Sequence, residues 1–335
     1  MRILIIRFSS IGDIVQCTSV IESIRRYIPG STIDFLTLTD YESILKNHEM
    51  IDSIITLNRT ASYTDLIQLA FDLNKNAYSW VVDLHGSLRS ILIRLFMKQT
   101  RSITINKPRW KRLLLKQFHY NRFSSDFSYK SMLHGPLKKL GIKETEYPAT
   151  SLCLTKHEIE SHDAFLAGFR IQKPYRVIIP GAAWENKQWA ESKYSEFFQE
   201  SDEMLQTVII GSNMDTICDS IAQKNENLLN LKGRTSLRES LRIISEARLC
   251  IGSDTGLVHA AEAFGIPVIS ITGPTSKEMG AGSQLKDSIT YQDESIWCRP
   301  CSQNGSLSCY REKRFCMENL SVTGLLEAES KLLQS

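Results

Sequence analysis

Three consecutive residues, Asp254, Thr255 and Gly256, could bind an anion, because they stand between an apolar strand pattern and a helical pattern. The runs Leu249 to Gly252 and Val268 to Ile271 are apolar and typical of buried parallel strands. A helix beginning here would present free N–H groups and its positive dipole end, and Gly256 would let a phosphate approach closely. The Asp254 carboxylate suits sugar hydroxyls or a helix cap better than a phosphate. The alternative is an ordinary strand-to-helix turn capped by Asp254.

A strongly basic segment runs from Leu84 to Ser125 and contains no Asp or Glu, although the net charge of the whole chain is only +3. Such a block indicates an anionic partner: a phosphorylated substrate, an anionic lipid surface or nucleic acid. A solvated basic face is the alternative. Its ten cationic residues are Arg89, Arg94, Lys98, Arg101, Lys107, Arg109, Lys111, Arg112, Lys116 and Arg122.

Four of the eight cysteines cluster near the C-terminus, as Cys298-x2-Cys301-x7-Cys309-x6-Cys316. Four thiolates can hold zinc or iron in a closed tetrahedral site, which would be structural because no coordination position stays open for catalysis. Four free thiols in an irregular tail are the alternative. No secretory signal and no apolar run of about 20 residues is visible, so a cytoplasmic location is expected and permanent disulfides are not.

Two alternating series of strands and helices must position these residues. They predict an α/β protein with two doubly wound domains facing across a cleft, divided near Gln172. The predicted domains are 1–172, 173–319 with the cysteine-rich segment 298–316, and a C-terminal helix or tail 320–335. The predicted strands are 2–6, 32–38, 53–58 and 80–84 in the first series, with a helix beginning at Asp13, and 176–180, 206–211, 249–252 and 267–271 in the second.

The loop after the first strand, Arg7 to Gly12, lacks the second and third glycines of a dinucleotide fingerprint, which disfavours an NAD-dependent dehydrogenase. The tripeptide His85-Gly86-Ser87 follows the strand 80–84, at the end where open α/β sheets place ligands. No Asp-x-Asp motif occurs in the sequence, so a diphosphate chelated through a metal on such a motif is not supported.

Four stretches carry a resemblance to a known family: RILIIRFSSIGDIV at 2–15, VVDLHGSLRS at 81–90, PGAAWENKQWAESKY at 180–194, and LKGRTSLRESLRIISEARLCIGSDTGLVHAAEAFGIPVISITGPT at 231–275. In this order they resemble the ADP-heptose:lipopolysaccharide heptosyltransferases of glycosyltransferase family 9, and the late cysteine pattern is also similar to that of many members. This resemblance implies a GT-B fold of two Rossmann-like domains, with the acceptor on the first and the nucleotide-sugar on the second.

The resemblance also implies roles for individual residues of the second domain. Lys187 would stabilise the leaving diphosphate as its charge develops. Without the family pattern, Lys187 would be interpreted as a surface lysine and His259 as an ordinary helix histidine. The implied donor-binding residues are Gly181, Lys187, Asp254, Thr255, Gly256 and His259.

In the first domain, Asp13 matches the proposed general base of the family. Such a carboxylate would take the proton of an acceptor hydroxyl while that hydroxyl attacks the anomeric carbon opposite the diphosphate, in one inverting displacement. A helix cap is the alternative role for Asp13. The implied acceptor-binding residues are Ser9, Ser10, Gly12, His85, Arg89, Arg109, Lys111 and Arg112.

These inferences predict an inverting, metal-independent transfer of heptose from ADP-heptose to a phosphorylated lipid A or inner-core lipopolysaccharide acceptor, by a monomer that needs no catalytic cofactor and binds no nucleic acid. The enzyme would work at the cytoplasmic face of the inner membrane and contact its anionic surface. The alternatives are the same donor class with a protein or other glycan acceptor, and a non-catalytic basic α/β binding module. One departure from the family is Gly211 to Asp215, where many members carry a Gly and a Glu that contact ribose, so the adenine preference stays open.

Overall fold

In a computed structural model, the chain divides into two compact units, each built on its own parallel sheet. The structure describes residues 1–98, 100–201, 205–225 and 227–334. The first unit comprises residues 1–107 and 130–155, and the second comprises 108–129 and the chain from 156 onwards. The predicted α/β class with two doubly wound sheets is confirmed.

The first unit contains a five-stranded parallel sheet in the order β3-β2-β1-β4-β5. Its central strand is the apolar run RILII, which pairs with β2 on one side and with β4 on the other. Because its residues are buried on both faces, this run forms a strand without alternating polarity. The strands are β1 (Arg2–Ile6), β2 (Thr32–Leu38), β3 (Ser53–Leu57), β4 (Trp80–Asp83) and β5 (Arg101–Thr104).

The first helix begins at Ile11, two residues before the predicted start at Asp13. Ser10 adopts the extended backbone of an N-cap, and the last turn carries Arg25 and Arg26, whose charge favours the helix dipole. A Ser-x-x-Asp start also occurs at Ser62. The helices up to residue 134 are α1 (Ile11–Tyr27), α2 (Glu42–Leu45), α3 (Tyr63–Asn74), α4 (Leu88–Phe96), α5 (Arg109–Phe118) and α6 (Tyr129–His134).

The second unit contains a six-stranded parallel sheet in the order β11-β10-β9-β6-β7-β8. Its short outer strands, β8 and β11, were not predicted, and neither was β5 of the first sheet, because short, partly polar segments carry little periodicity. The strands are β6 (Tyr175–Ile179), β7 (Gln206–Ile209), β8 (Leu229–Asn230), β9 (Leu249–Ser253), β10 (Val268–Ile271) and β11 (Ile289–Tyr291).

Two apolar clusters cover the faces of this second sheet, and successive residues of β6 such as Val177 and Ile178 point into different clusters. The predicted C-terminal tail belongs to one cluster, since Leu325 of the last helix is fully buried there. The helices are α7 (Lys156–Glu160), α8 (His162–Gly168), α9 (Glu191–Glu200), α10 (Thr216–Gln223), α11 (Leu237–Ile244), α12 (Gly256–Ala263), α13 (Phe315–Glu318) and α14 (Val322–Leu333). A capping box of Ser236 and Glu239 opens α11. Short 3₁₀ helices lie at Thr39–Tyr41, Gly135–Leu140, Glu185–Lys187 and Lys277–Met279.

The division into units differs from the predicted boundary near residue 172 in two places. Leu166 and Ile171 pack into the core of the second unit, so the chain from Lys156 onwards belongs there. The helix α5 also belongs to the second unit, where Arg112 Nε donates to the carbonyl oxygen of Glu278 at 3.0 Å. Arg112 supplies part of the buried face of α5, and apolar patterning does not assign an arginine to a core, so the sequence pattern missed this packing.

Candidate active site

Each sheet has one position where its strand order reverses, and the predicted site residues follow the strands at these positions. In the first sheet the reversal lies between β1 and β4, and in the second it lies between β6 and β9. Open parallel sheets bind ligands outside the carboxyl ends of such strands. Asp13 and His85 follow the first pair of strands, and Gly181 and Asp254 follow the second.

Asp13 occupies the third position of α1, one turn after the loop that leaves β1. Its Oδ2 accepts hydrogen bonds from the backbone N–H and the hydroxyl of Ser10, at 3.1 and 3.0 Å, and lies 2.5 Å from Arg7 Nη2. The Asp13 side chain is 28% exposed. A capping role alone therefore does not account for its contacts, because the ion pair with Arg7 adds nothing to a helix start.

Arg7 is a site residue that the sequence analysis missed. It is buried, and its guanidinium donates to the carbonyl oxygens of Ser9 at 2.7 Å and Leu84 at 2.6 Å, as well as pairing with Asp13. These bonds tie the ends of β1 and β4 together around one carboxylate. The available signal was a charged residue directly after a fully apolar strand, where a buried charge requires a partner.

His85 lies at the same end of the first sheet, with its ring packed edge-on against Phe8 at 5.0 Å between centroids. Its backbone oxygen accepts a hydrogen bond from Lys107 Nζ. Burial, together with the charges of Arg7 and Lys107, lowers the pKa of His85 to about 4. His85 is therefore a neutral imidazole at physiological pH, able to accept or donate one hydrogen bond but carrying no charge for a phosphate.

The predicted acceptor-binding residues are divided between the two units. Ser9, Ser10, Gly12, His85 and Arg89 lie in the first unit, whereas Arg109, Lys111 and Arg112 lie in the second. The guanidinium of Arg89 donates to the backbone oxygens of Asn58 at 3.3 Å and Ala61 at 3.1 Å.

Arg112, which the resemblance assigned to the acceptor site, makes packing contacts within the second unit. It is buried against the second unit, where it bonds the Glu278 backbone and lies 6.0 Å from the centre of the Tyr129 ring. Arg109 and Lys111 stay exposed, with Lys111 Nζ 5.8 Å from the centre of the Phe123 ring.

In the second unit, the candidate donor site at the ends of β6 and β9 is centred on an ion pair between Lys187 and Asp254, with Nζ and Oδ2 2.7 Å apart. Both side chains are largely buried, at 14% and 5% exposure. Burial opposes the charged carboxylate, but the cations Lys187 and His259 outweigh it and hold the pKa of Asp254 below its usual range. The structure thus brings together the predicted diphosphate cation and the acidic residue of the 254–256 segment.

Asp254 is not the cap of the following helix, which was the alternative interpretation of the sequence pattern. Thr255 occupies the N-cap position, α12 begins at Gly256, and Asp254 Oδ1 instead accepts the backbone N–H of Gly282 at 3.1 Å. Within the described part of the chain, the buried Thr255 hydroxyl has no hydrogen-bond partner. The beginning of α12 therefore keeps an unsatisfied polar group beside its free N–H groups.

A buried chain of charges continues from this pair through His259 to Glu262. His259 Nε2 lies 3.6 Å from Asp254 Oδ1, and Nδ1 lies 3.7 Å from Glu262 Oε2. Burial alone would lower the pKa of His259, but the two flanking carboxylates raise it above its ordinary value. The sequence analysis missed Glu262, for which the signal was a charged residue on an otherwise apolar helix face.

Glu262 also holds the loop that completes this site. Its Oε1 accepts the backbone N–H groups of Gln284 at 2.6 Å and Leu285 at 2.9 Å, and the carboxylate is almost fully buried. The same loop donates the Gly282 N–H to Asp254. One side chain of α12 thus fixes both an imidazole and a backbone segment next to the Lys187–Asp254 pair.

Two glycines permit close approaches at this site. A Cβ on Gly181 would collide with the carboxyl group of Asp215, which accepts the Ser212 N–H at 2.6 Å and the Ser212 hydroxyl at 2.7 Å. The departure at Gly211 to Asp215 therefore forms a turn that packs against Gly181. Gly305 has φ +88°, and a Cβ there would lie 2.6 Å from Lys187 Cγ, so the cysteine-rich segment reaches the side chain of Lys187.

The four clustered cysteines carry free thiols with individual contacts. Cys301 Sγ lies 4.0 Å from the Pro274 oxygen, and Cys309 Sγ lies 3.6 Å from the Lys313 oxygen. Burial, with the neighbouring thiols, raises the pKa of Cys316 to about 11. Across the described residues, no three His, Cys, Asp or Glu side chains are arranged to hold a metal ion, so the predicted ligand set is not assembled here.

No helix in the described part of the chain combines the length and apolar composition that are needed to cross a bilayer.

The sequence of this chain is similar to those of known glycosyltransferases. Residues 66–310 match glycosyltransferase family 9 (heptosyltransferase). The lipopolysaccharide heptosyltransferase 1 of Pseudomonas aeruginosa is 23% identical over 317 residues, covering 90% of this chain and 86% of that protein. The lipopolysaccharide heptosyltransferase 3 of Escherichia coli K12 is 25% identical, covering 79% of this chain and 80% of that protein.

A solved structure gives the same result for the fold. The ADP-heptose lipopolysaccharide heptosyltransferase II of Escherichia coli superimposes with a TM-score of 0.74 at 19% identity, covering 100% of this chain and 99% of that one. The GT-B fold is therefore confirmed, and a non-catalytic binding module is not supported. Because the family match covers most of the chain, the protein belongs to glycosyltransferase family 9 and is a glycosyltransferase.

Proposed function

We propose that this enzyme transfers heptose from ADP-heptose to a phosphorylated inner-core lipopolysaccharide acceptor. The observation that carries the proposal is the buried Lys187–Asp254 pair at the ends of β6 and β9, beside the beginning of α12. Positive charge at such a position suits a nucleotide diphosphate. The proposed sugar and acceptor are taken from the names of the relatives, whereas the proposed roles in the reaction are argued from the residues of this chain.

On the donor side, Lys187 and the N–H groups at the start of α12 neutralise the diphosphate, and His259 adds a second cation. Asp254 orients both cations through its two carboxylate oxygens. As the glycosidic bond breaks, negative charge grows on the leaving diphosphate, so these groups stabilise the transition state more than the bound donor. We propose that this set performs the reaction without a metal ion.

On the acceptor side, Asp13 acts as general base. It takes the proton of the acceptor hydroxyl while that oxygen forms a bond to the anomeric carbon and the bond to the diphosphate breaks, which inverts the anomeric configuration. Arg7 and Ser10 fix the orientation of the carboxylate. Ser9, Gly12, neutral His85 and Arg89 of the same unit contact the acceptor sugars and phosphates.

A thermal-shift screen of nucleotides and nucleotide-sugars tests this proposal. ADP-heptose and ADP should raise the melting temperature, because a ligand that binds only the folded state stabilises it. UDP- and GDP-sugars should have little effect. A larger rise in melting temperature with a UDP-sugar than with ADP-heptose would overturn the proposed adenine preference. This preference needs a test because the turn at Gly211 to Asp215 lacks the Glu that contacts ribose in many other members.

We expect Glu262→Gln to change the pH dependence of donor binding. Glu262 raises the pKa of His259, and the imidazolium exists only below that pKa, so the alkaline loss of affinity should begin at lower pH in the variant than in the wild type. Titration calorimetry with ADP between pH 5.5 and 9 measures the effect. Glu327→Gln, an exposed charge change on α14 of the same unit, is the control. Superimposable pH profiles for wild type and Glu262→Gln would refute the role of the Glu262 charge.

The metal at the four cysteines stays a separate prediction. In its favour, burial and the neighbouring thiols Cys298 and Cys309 raise the pKa of Cys301, so the sulfurs lie within electrostatic range of one another. Protein purified without oxygen should carry about one equivalent of zinc plus iron, and removal of that metal should lower the melting temperature but not the transfer rate of the remaining folded enzyme. Less than about a tenth of an equivalent, with all four thiols freely titratable, would contradict the prediction.

The cellular setting follows from the proposed substrates. We propose that the nucleotide-sugar donor and the lipid-linked acceptor meet at the cytoplasmic face of the inner membrane, and that the enzyme works there as a monomer. Nucleic acid has no part in this proposal.

A further inference from the structure

The helix α5 presents a large apolar surface that nothing in the described structure covers. Trp110 and Phe118 are 77% and 70% exposed, and Leu113 lies on the same outward side. At 100° per residue, Trp110, Leu113, Leu114 and Gln117 occupy the outer face, opposite the buried residues Arg112 and Leu115. Exposed aromatic residues in such a row mark an interaction surface rather than scattered surface apolarity.

Cations border this apolar face on both sides. Arg109 and Lys116 lie along one border and Lys111 along the other, by the same helical geometry. The neighbouring residues of the same unit, Pro108 to Ser125, include no Asp or Glu. An apolar face with Trp and Leu at its centre and cationic borders is the pattern of helices that lie in the plane of a membrane surface.

The helix is anchored rigidly on its inner side. Arg112 Nε donates to the Glu278 backbone, and the Asn121 side chain donates to Glu278 Oε1 at 3.4 Å. Beyond its end, the His119 ring packs edge-on against Trp297, which is itself 63% exposed, at 5.4 Å between centroids. The aromatic surface therefore extends from α5 onto the cysteine-rich side of the second unit.

We propose that α5 docks the second, donor-binding unit onto an anionic phospholipid bilayer, with Trp110 and Phe118 inserted at the headgroup level. This proposal rests on the proposed function in one respect, namely that the acceptor is linked to a lipid and therefore lies in a membrane. A second copy fits less well, because a two-fold contact between these faces would bring their cationic borders together. A bilayer offers apolar depth for the aromatic rings and negative charge for Arg109, Lys111 and Lys116.

Vesicle flotation of the full chain tests the proposal. Binding to vesicles of phosphatidylcholine with about one-third phosphatidylglycerol should exceed binding to pure phosphatidylcholine by more than about tenfold, and should fall as salt rises. Trp110→Ser with Phe118→Ser should weaken binding to the anionic vesicles by at least about tenfold, because two interfacial anchors are lost. Tyr63→Ser, a change at a 70% exposed aromatic residue of the first unit, is the matched control and should bind normally.

A second measurement does not depend on the folding of a serine variant. Lipids brominated near the headgroup should quench the fluorescence of the wild type, and Trp110→Phe should reduce that quenching. Equal affinity for neutral and anionic vesicles, no effect of the double variant, or quenching unchanged in Trp110→Phe would each overturn the proposal. So would sedimentation showing a wild-type dimer that the double variant abolishes, since this would assign the face to a second copy.

The failure of docking can be distinguished from the failure of the proposed function. With a deacylated, water-soluble acceptor, the Trp110→Ser, Phe118→Ser variant should transfer sugar at the wild-type rate, because neither residue belongs to the proposed sites. Loss of that transfer would overturn docking as the role of these two residues. Normal transfer by the wild type without vesicle binding would refute docking and leave the proposed function intact.

Discussion

Asp13→Asn is expected to reduce turnover by about 10²–10⁴-fold while leaving donor affinity nearly unchanged. The amide is nearly isosteric with the carboxylate and can still accept the bonds from Ser10, but it cannot take a proton from the acceptor hydroxyl. It also loses the ion pair with Arg7, which lies 2.5 Å away. Single-turnover kinetics with saturating donor, together with titration calorimetry for ADP, separate the chemical step from binding.

The chain contains a closely matched control for this variant. Asp65 stands at the third position of α3 and accepts the N–H and hydroxyl of Ser62 at 2.7 and 2.8 Å, just as Asp13 does from Ser10 in α1. Asp65→Asn should therefore reproduce any cost of a weakened helix start without affecting turnover. Equal, small losses in the two variants would reduce Asp13 to a structural residue and remove the general base from the mechanism.

Lys187→Ala is expected to weaken donor binding by roughly 10- to 100-fold, as for the loss of a charged hydrogen bond, and to slow the chemical step further by about 10²-fold. The two effects have one cause, since the ammonium neutralises a diphosphate whose charge grows during bond cleavage. Asp254→Ala should weaken donor binding as well, because Lys187 and His259 would lose the carboxylate that orients them.

Two further variants show whether Lys187 acts through the donor. Lys232 is equally buried, at 14% exposure, and pairs with Asp219 in the same unit, so Lys232→Ala should lose only stability. Lys187→Met with Asp254→Asn removes both charges and avoids leaving an uncompensated carboxylate, which would itself destabilise the fold. Wild-type ADP affinity in Lys187→Ala and in Asp254→Ala would place the donor site elsewhere.

The sequence was sufficient to predict the central strands and the turns that follow them. Runs such as Arg2–Ile6 and Leu249–Ser253 are apolar throughout, and this pattern identifies strands buried on both faces of a parallel sheet. The outer strands could not be predicted in this way. Leu229–Asn230 is only two residues long and half-buried, and its place in the sheet depends on pairing with its neighbour.

The candidate sites were predicted by residue type but not by connectivity. Asp254 was expected to cap a helix or to bind sugar hydroxyls. In the structure its carboxylate instead accepts hydrogen bonds from Lys187, 67 positions away in the sequence, and from the backbone N–H of Gly282. Local patterns report caps and turns, but an ion pair between distant segments leaves no periodic trace. Arg7 and Glu262 were missed although their ionic partners Asp13 and His259 are near in sequence, whereas their backbone contacts to Leu84 and Gln284 lie far along the chain.

The basic segment shows a different limit. Its composition indicated an anionic partner, but charge alone could not separate an exposed cation from a buried one. Arg112 turns inward to the Glu278 backbone, whereas Arg109 remains exposed on the same helix. The number of residues per helical turn separates these two faces, and the segment could have been divided by that criterion.

The most direct test of the central claim is a transfer assay with ADP-heptose and a heptose-free, phosphorylated inner-core lipopolysaccharide acceptor. Mass spectrometry of the acceptor should show the addition of one heptose with the release of one ADP, and the new glycosidic bond should have the anomeric configuration opposite to that of the donor. An unmodified acceptor in the presence of folded enzyme that binds ADP, or a product with retained configuration, would contradict the proposed reaction.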